Sequence, residues 1–142
     1  VDELGEMRYL LTASPAFVAR HFPHGLTREA LARTPAVAFD QRDDMHISFM
    51  RRHFGLEPGG YPCHTVHSSE AFVAMAEQGL ACCLIPELQI RQQLAQGLLL
   101  DLSPALHLVE RLYWHRWVLE RGLHKQISQR LIEQGRRALQ PR

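Results

Sequence analysis

The 142-residue chain balances 16 Lys and Arg against 15 Asp and Glu for a net charge of +1, with 46% hydrophobic and 22% charged residues. This is the composition of one ordinary globular domain with enough apolar material for a core. It excludes a bulk basic footprint for nucleic acid, and no apolar run reaches the length of a membrane-spanning helix.

The opening Val1–Glu6 is acidic and lacks the apolar stretch of a secretory signal. Val1–Gly5 reads as a loop entering a strand, which is the expectation for a fragment of a longer protein. Met7–Thr12 is an apolar strand. Ser14 then caps a helix from Pro15 to about Phe22, with proline at the first helical position. His21–Gly25 breaks it. Thr27 caps a short helix, Arg28–Arg33, which Pro35 stops. Ala36–Phe39 is a short apolar strand. Met45–Phe54 has helical spacing, with Ile47, Met50 and Phe54 on one side, and Gly55 ends it. Cys63–His67 is the next strand, and Ser68 caps a helix through Gln78 with Ala71, Phe72, Met75 and Ala76 inward. Gly79 closes that helix. Ala81–Ile85 is a strand, Pro86 opens a helix to about Gln96, Gly97 ends it, and Leu98–Leu102 is a further strand. An extended stretch, Glu110–Val118, precedes a last helix, Leu123–Leu139, with Leu123, Ile127, Leu131 and Ala138 on one face.

The order β-α-β-α-β-α-β, with short strands lacking polar alternation, predicts an α/β fold: a mostly parallel sheet covered by helices on both faces, joined by right-handed crossovers. No repeat or low-complexity segment interrupts it.

Catalytic machinery is not evident. Nine histidines invite a zinc reading, but the spacing on Cys63-His64-Thr65-Val66-His67 splits the would-be ligands between two strand faces. No CxxC, HExxH, GxSxG or Gly-rich phosphate loop occurs. Ser14 and Ser68 read as helix caps. Cys63, Cys82 and Cys83 sit in apolar strand-like stretches, an odd count with an adjacent pair. They are expected to be free, buried thiols in a reducing cytoplasm rather than nucleophiles or disulfides. The expectation is no enzyme, no metal and no cofactor.

The one polar concentration is Asp40-Gln41-Arg42-Asp43-Asp44, directly after the strand Ala36–Phe39. In an open parallel sheet, ligands bind beyond the carboxyl ends of strands. Ser68-Ser69-Glu70 occupies the matching place after the next strand. Each group alone reads as a helix cap. Together, on one sheet edge, they also read as a site for a small polar ligand, with Asp40, Gln41, Asp43, Asp44, Ser68, Ser69 and Glu70 as candidate contacts.

Two longer segments resemble the effector domain of LysR-type transcription regulators. One is Ser69-Glu70-Ala71-Phe72-Val73-Ala74-Met75-Ala76-Glu77-Gln78-Gly79-Leu80-Ala81-Cys82-Cys83-Leu84-Ile85-Pro86, similar to the family's helix, glycine, strand, proline signature, with Ala81 where many members carry a second glycine. The other is Pro35-Ala36-Val37-Ala38-Phe39-Asp40-Gln41-Arg42-Asp43-Asp44-Met45-His46. With Leu112-Tyr113-Trp114-His115-Arg116, these resemble the arginine/lysine-responsive, chromosome-replication-initiation-inhibitor branch. The resemblance runs over essentially the whole chain.

It implies a periplasmic-binding-protein-like (type 2) fold of two α/β subdomains joined by crossing strands, with effector bound between them. Residues 1–12 would end the first subdomain and make the first crossing. Residues 13–107 would be the second subdomain, and 108–142 the return strand and a C-terminal helix of the first. The implied partners are lysine or arginine as effector, other copies of the chain as a homodimer or tetramer, and DNA only through an N-terminal domain absent from this sequence; no membrane is implied. A stand-alone solute-binding protein of the same fold is the alternative.

Overall fold

The computed structural model describes residues 1–139. Its elements are β1 (Asp2–Ala13), α1 (Pro15–His21), α2 (Arg28–Leu31), β2 (Ala36–Ala38), α3 (Asp44–Phe54), β3 (Cys63–Thr65), α4 (Ser69–Glu77), β4 (Cys82–Pro86), α5 (Glu87–Ala95), β5 (Leu100–Asp101), β6 (Leu108–Trp114) and α6 (Leu123–Ala138). The chain divides into two compact units, one spanning Tyr9–Leu108 and the other combining Val1–Arg8 with the residues from Val109 on.

In the Tyr9–Leu108 unit the strand order is β3-β2-β4-β1-β5. β2 runs parallel to β3 and to β4, in register Ala36↔Cys63 and Ala36↔Cys82. The alternation of strands and helices forces this, because parallel neighbours need a crossover rather than a hairpin. β1 is the exception: it lies antiparallel to β4, Tyr9↔Pro86 through Thr12↔Cys83, and antiparallel to β5, Thr12↔Asp101. β5 therefore points the same way as β4 but never touches it. The predicted Leu98–Leu102 strand is real only over Leu100–Asp101.

Helices cover both faces of this sheet. One face buries Leu11, Ala13, Ala36, Cys82 and Leu84 under Phe17 of α1, Leu31 of α2, and Phe49 and Met50 of α3. The other buries Val37, Cys83 and Ile85 under Phe72 and Ala76 of α4 and Ile90 of α5. Successive residues of β4 thus enter opposite cores, which is why Cys82–Ile85 is apolar without alternation. The Thr12 hydroxyl donates to the Cys83 carbonyl at 3.0 Å and so closes a polar group inside this layer.

Most helix signals hold. Ser14, Thr27, Asp43 and Ser68 each accept a first-turn backbone amide. Gly55, Gly79 and Gly97 take left-handed φ values just beyond α3, α4 and α5. Two readings need correction. The inward face of α3 is His46, Phe49 and Met50, while Ile47 and Phe54 are only half-buried. A phase error of one residue turns a helix face by about 100°. β3 is the sheet edge and its three residues are exposed, so Cys63 is not a buried thiol, whereas Cys82 and Cys83 are. Strand sequence does not reveal which strand ends a sheet.

The second unit contains β6, which pairs with β1, and α6. Trp114 Nε1 donates to Ser128 Oγ at 2.9 Å, and Ser128 Oγ donates to Glu120 Oε1 at 2.8 Å. Arg136 Nε donates to the Glu3 carbonyl at 3.0 Å. At Gly135 an added Cβ would sit 3.3 Å from the Leu4 side chain, so the helix and β1 approach closely there. The inward face of α6 is Ser128 and Ile132; the predicted stripe Leu123, Ile127 and Leu131 is 67%, 45% and 43% exposed. The strand after Pro104 is Leu108–Trp114, earlier than the expected Glu110–Val118. Among the described residues no helix is long and apolar enough to cross a membrane.

Candidate ligand cavity

The site grows from the turn that follows β2. Here the chain leaves the sheet and must enter α3 within a few residues. Asp43 makes that turn rigid. Its Oδ1 accepts the His46 amide at 3.2 Å, capping α3, and its Oδ2 accepts the Phe39 amide at 2.9 Å, holding the strand end. Asp40 Oδ1 accepts the Arg42 amide at 2.7 Å. Asp44 is the first residue of α3, is exposed, and accepts none of these bonds.

Beside this turn lies a cavity of about 510 Å³, within the usual range for a small-molecule site. Asp40, Arg42, Asp43, Asp44, His46, Ser69 and Gln89 are its polar lining. Its apolar wall is Phe39, Phe72, Leu84, Ile85, Pro86 and Tyr9. Every lining residue belongs to the Tyr9–Leu108 unit. The pairing Tyr9↔Pro86 brings β1 to the wall.

Behind the turn sits His46, 2% exposed. Its Nε2 is 3.0 Å from the Tyr61 hydroxyl and 4.0 Å from Cys63 Sγ, while Nδ1 is sealed off with no hydrogen-bond partner. Burial pulls the imidazole below its ordinary pKa, partly opposed by the Asp43 carboxylate. The ring is therefore a neutral support of the turn, and its sealed Nδ1 offers nothing to a ligand. Burial likewise pushes Tyr61 up to about 12, so the phenol keeps its proton. Cys82 is pushed up to about 12, and Cys83 rises too, both chiefly through burial, which disfavours a thiolate at either. Among the described residues no group of three His, Cys, Asp or Glu side chains is placed to hold a metal.

The seven residues singled out in the sequence divide. Asp40, Asp43, Asp44 and Ser69 line the cavity. Gln41 lines a second hollow of about 490 Å³ with His46, Tyr61 and Cys63. Ser68 Oγ accepts the Ala71 amide at 3.2 Å and acts as a cap, and Glu70 is exposed on the first turn of α4; neither is in the wall of either hollow. The lining residues that sequence reasoning missed are chiefly Tyr9, Arg42, Phe72, Leu84, Pro86 and Gln89. Only Arg42 had a local signal, its place inside the acidic run.

The model of the LysR substrate binding domain matches residues 1–136. The chain is 89% identical over 141 residues to the HTH-type transcriptional regulator ArgP of Aeromonas salmonicida, covering 99% of this chain and 47% of that protein. Among solved structures, ArgP from Mycobacterium tuberculosis matches with TM-score 0.87 and 31% identity over 99% of this chain and 48% of its own. Full-length LysG from Corynebacterium glutamicum, with bound effector Arg, matches with TM-score 0.84 and 25% identity over 98% of this chain and 47% of its own. The chain thus spans about half the length of the curated relatives it matches. The fold is accordingly the periplasmic-binding-protein-like one of LysR effector domains, and the chain belongs to the LysR substrate-binding domain family.

Proposed function

We propose that this chain is the effector-sensing domain of a LysR-type DNA-binding transcription regulator, working in the cytoplasm, and that the cavity beside Asp40–Asp44 takes lysine or arginine. The observation that carries the reading is the composition of one wall: carboxylates at the turn, apolar side chains beside them. A basic amino acid has a matching build, an aliphatic stem ending in a cation. The stem gains by leaving water against Phe72 and Leu84. The cation gains charge-assisted hydrogen bonds from Asp40 and Asp44. The arginine-bound LysG relative supports the same ligand class.

In this reading residues 13–107 are the second subdomain of the effector domain, and 1–12 with 108–142 are the crossing strands and part of the first. Effector binding favours one arrangement of the regulator over another, in a dimer or tetramer that meets DNA through a separate N-terminal domain. No catalytic step belongs to it.

The test is thermal unfolding and calorimetry of the intact protein with each of the twenty amino acids. Arginine or lysine raises the midpoint, because a ligand that binds only the folded state stabilises it. Asp44→Asn weakens binding with little loss of stability, whereas Asp43→Ala costs stability, about 1 kcal/mol for the lost cap. Absence of any shift with arginine and lysine rejects the proposal; unchanged affinity in Asp44→Asn rejects the assignment of the cation.

A further inference from the structure

The wall that carries three carboxylates also carries a guanidinium. Arg42 lies at the centre of the Asp40–Asp44 turn and lines the same cavity. Arg51, Arg111 and Arg116 all have carboxylate partners, Glu57, Glu6 and Asp2. Arg42 does not: among the described residues only its backbone amide is engaged, and nothing holds its guanidinium. Of its acidic neighbours, Asp43 is fully committed and Asp40 half so: both oxygens of Asp43 accept backbone amides, and Asp40 Oδ1 accepts the amide of Arg42 itself, while Asp44 accepts none of these bonds. What sets Arg42 apart is its place in the cavity wall, where an open guanidinium can meet the anionic group of a ligand.

We propose that Arg42 binds the α-carboxylate of the effector while the carboxylates of the same turn bind its cationic groups. This deepens the function proposed above and rests on it. The charge pattern supports it. A basic amino acid presents two cations and one carboxylate; with both oxygens of Asp43 taken by backbone amides, the turn presents two carboxylates, Asp40 and Asp44, and one guanidinium, the same pattern with the signs exchanged. A guanidinium is also the side chain whose planar fork matches a carboxylate with two parallel hydrogen bonds. The cavity is then selective for an amino acid with a free carboxylate, and a diamine of the same length loses one of its contacts. Recognition of both ends of the ligand begins within a single turn of the chain.

The test compares arginine with agmatine, which is arginine with hydrogen in place of the α-carboxylate, by calorimetry on the intact protein. The wild type binds arginine about tenfold or more tightly than agmatine, the usual size of a hydrogen-bonded charge contact. Arg42→Gln weakens arginine by a similar factor, does not weaken agmatine, and removes the preference for arginine. Arg42→Lys restores part of it. Asp44→Asn weakens both ligands together and keeps the ratio. Arg42 is exposed, and an unchanged unfolding midpoint shows that the variants fold. An arginine-to-agmatine ratio that survives Arg42→Gln overturns the assignment of Arg42 while leaving the proposed function standing. A wild type that binds neither arginine nor lysine overturns both.

Discussion

Helices α4 and α6 are both amphipathic, yet they finish in different surroundings. α4 sets Phe72 and Ala76 against Val37, Cys83 and Ile85 and completes one of the two cores of the Tyr9–Leu108 unit. α6 buries Ser128 and Ile132, joins Trp114 through a hydroxyl, and leaves Leu123, Ile127 and Leu131 substantially in water. Trp117, Val118 and Leu119, just before it, are 86%, 98% and 79% exposed. The first unit has closed two apolar cores around a sheet; the second leaves most of its helix stripe outside one. An amphipathic stripe therefore records a demand for a partner, and the partner itself is a property of the packed chain. Exposed apolar surface on this scale is a docking liability in water.

Substitutions in the two units test this difference. The largest effect is expected at Leu11, fully buried between the helices and the sheet. Leu11→Ala removes about 3 kcal/mol of stability, measured by denaturant titration, through lost burial and the cavity left behind. A loss below about 1 kcal/mol would mean that the core of this unit is looser than its packing shows.

Ser128→Ala comes next. It strands the Trp114 indole N–H and the Glu120 carboxylate, whose other oxygen is already buried without a partner. About 2 kcal/mol is expected, from the desolvation cost of orphaned polar groups. No change would show that this hydroxyl is not what holds α6 to the strand.

A smaller effect follows from His46, through pH. Its folded pKa lies below the ordinary 6.5, chiefly because of burial. The unfolded ring therefore takes up a proton at a higher pH than the folded ring does. Stability from this group is complete above 6.5 and falls as the pH drops from there through the folded pKa. In His46→Gln the pH slope below 6.5 should flatten relative to the wild type in unfolding titrations at several pH values. An equal slope in both proteins would place the acid sensitivity elsewhere.

Least is expected at the exposed stripe. Leu131→Ala changes the stability of the 142-residue chain by no more than about 0.5 kcal/mol, the usual figure for a surface position. A cost approaching that of Leu11→Ala would show the stripe to be covered in solution.

Much of the Tyr9–Leu108 unit was legible because its signals are local. Capping residues, glycines beyond helix ends and the unbroken apolar run Cys82–Ile85 each act within a few positions, and they yield the helices and the parallel strands directly. The acidic turn was legible for the same reason, standing at a strand's carboxyl end. What tertiary structure alone decided are the long-range pairings. The insertion of β1 between β4 and β5 joins residues 71 positions apart at Thr12 and Cys83, and no local pattern announces it. That insertion brings Tyr9 beside Pro86 and so helps to build the cavity wall. The phase of α3 and the exposure of Cys63 were settled by the same kind of event. Each depends on which surface arrives opposite, and a sequence read in order does not contain that.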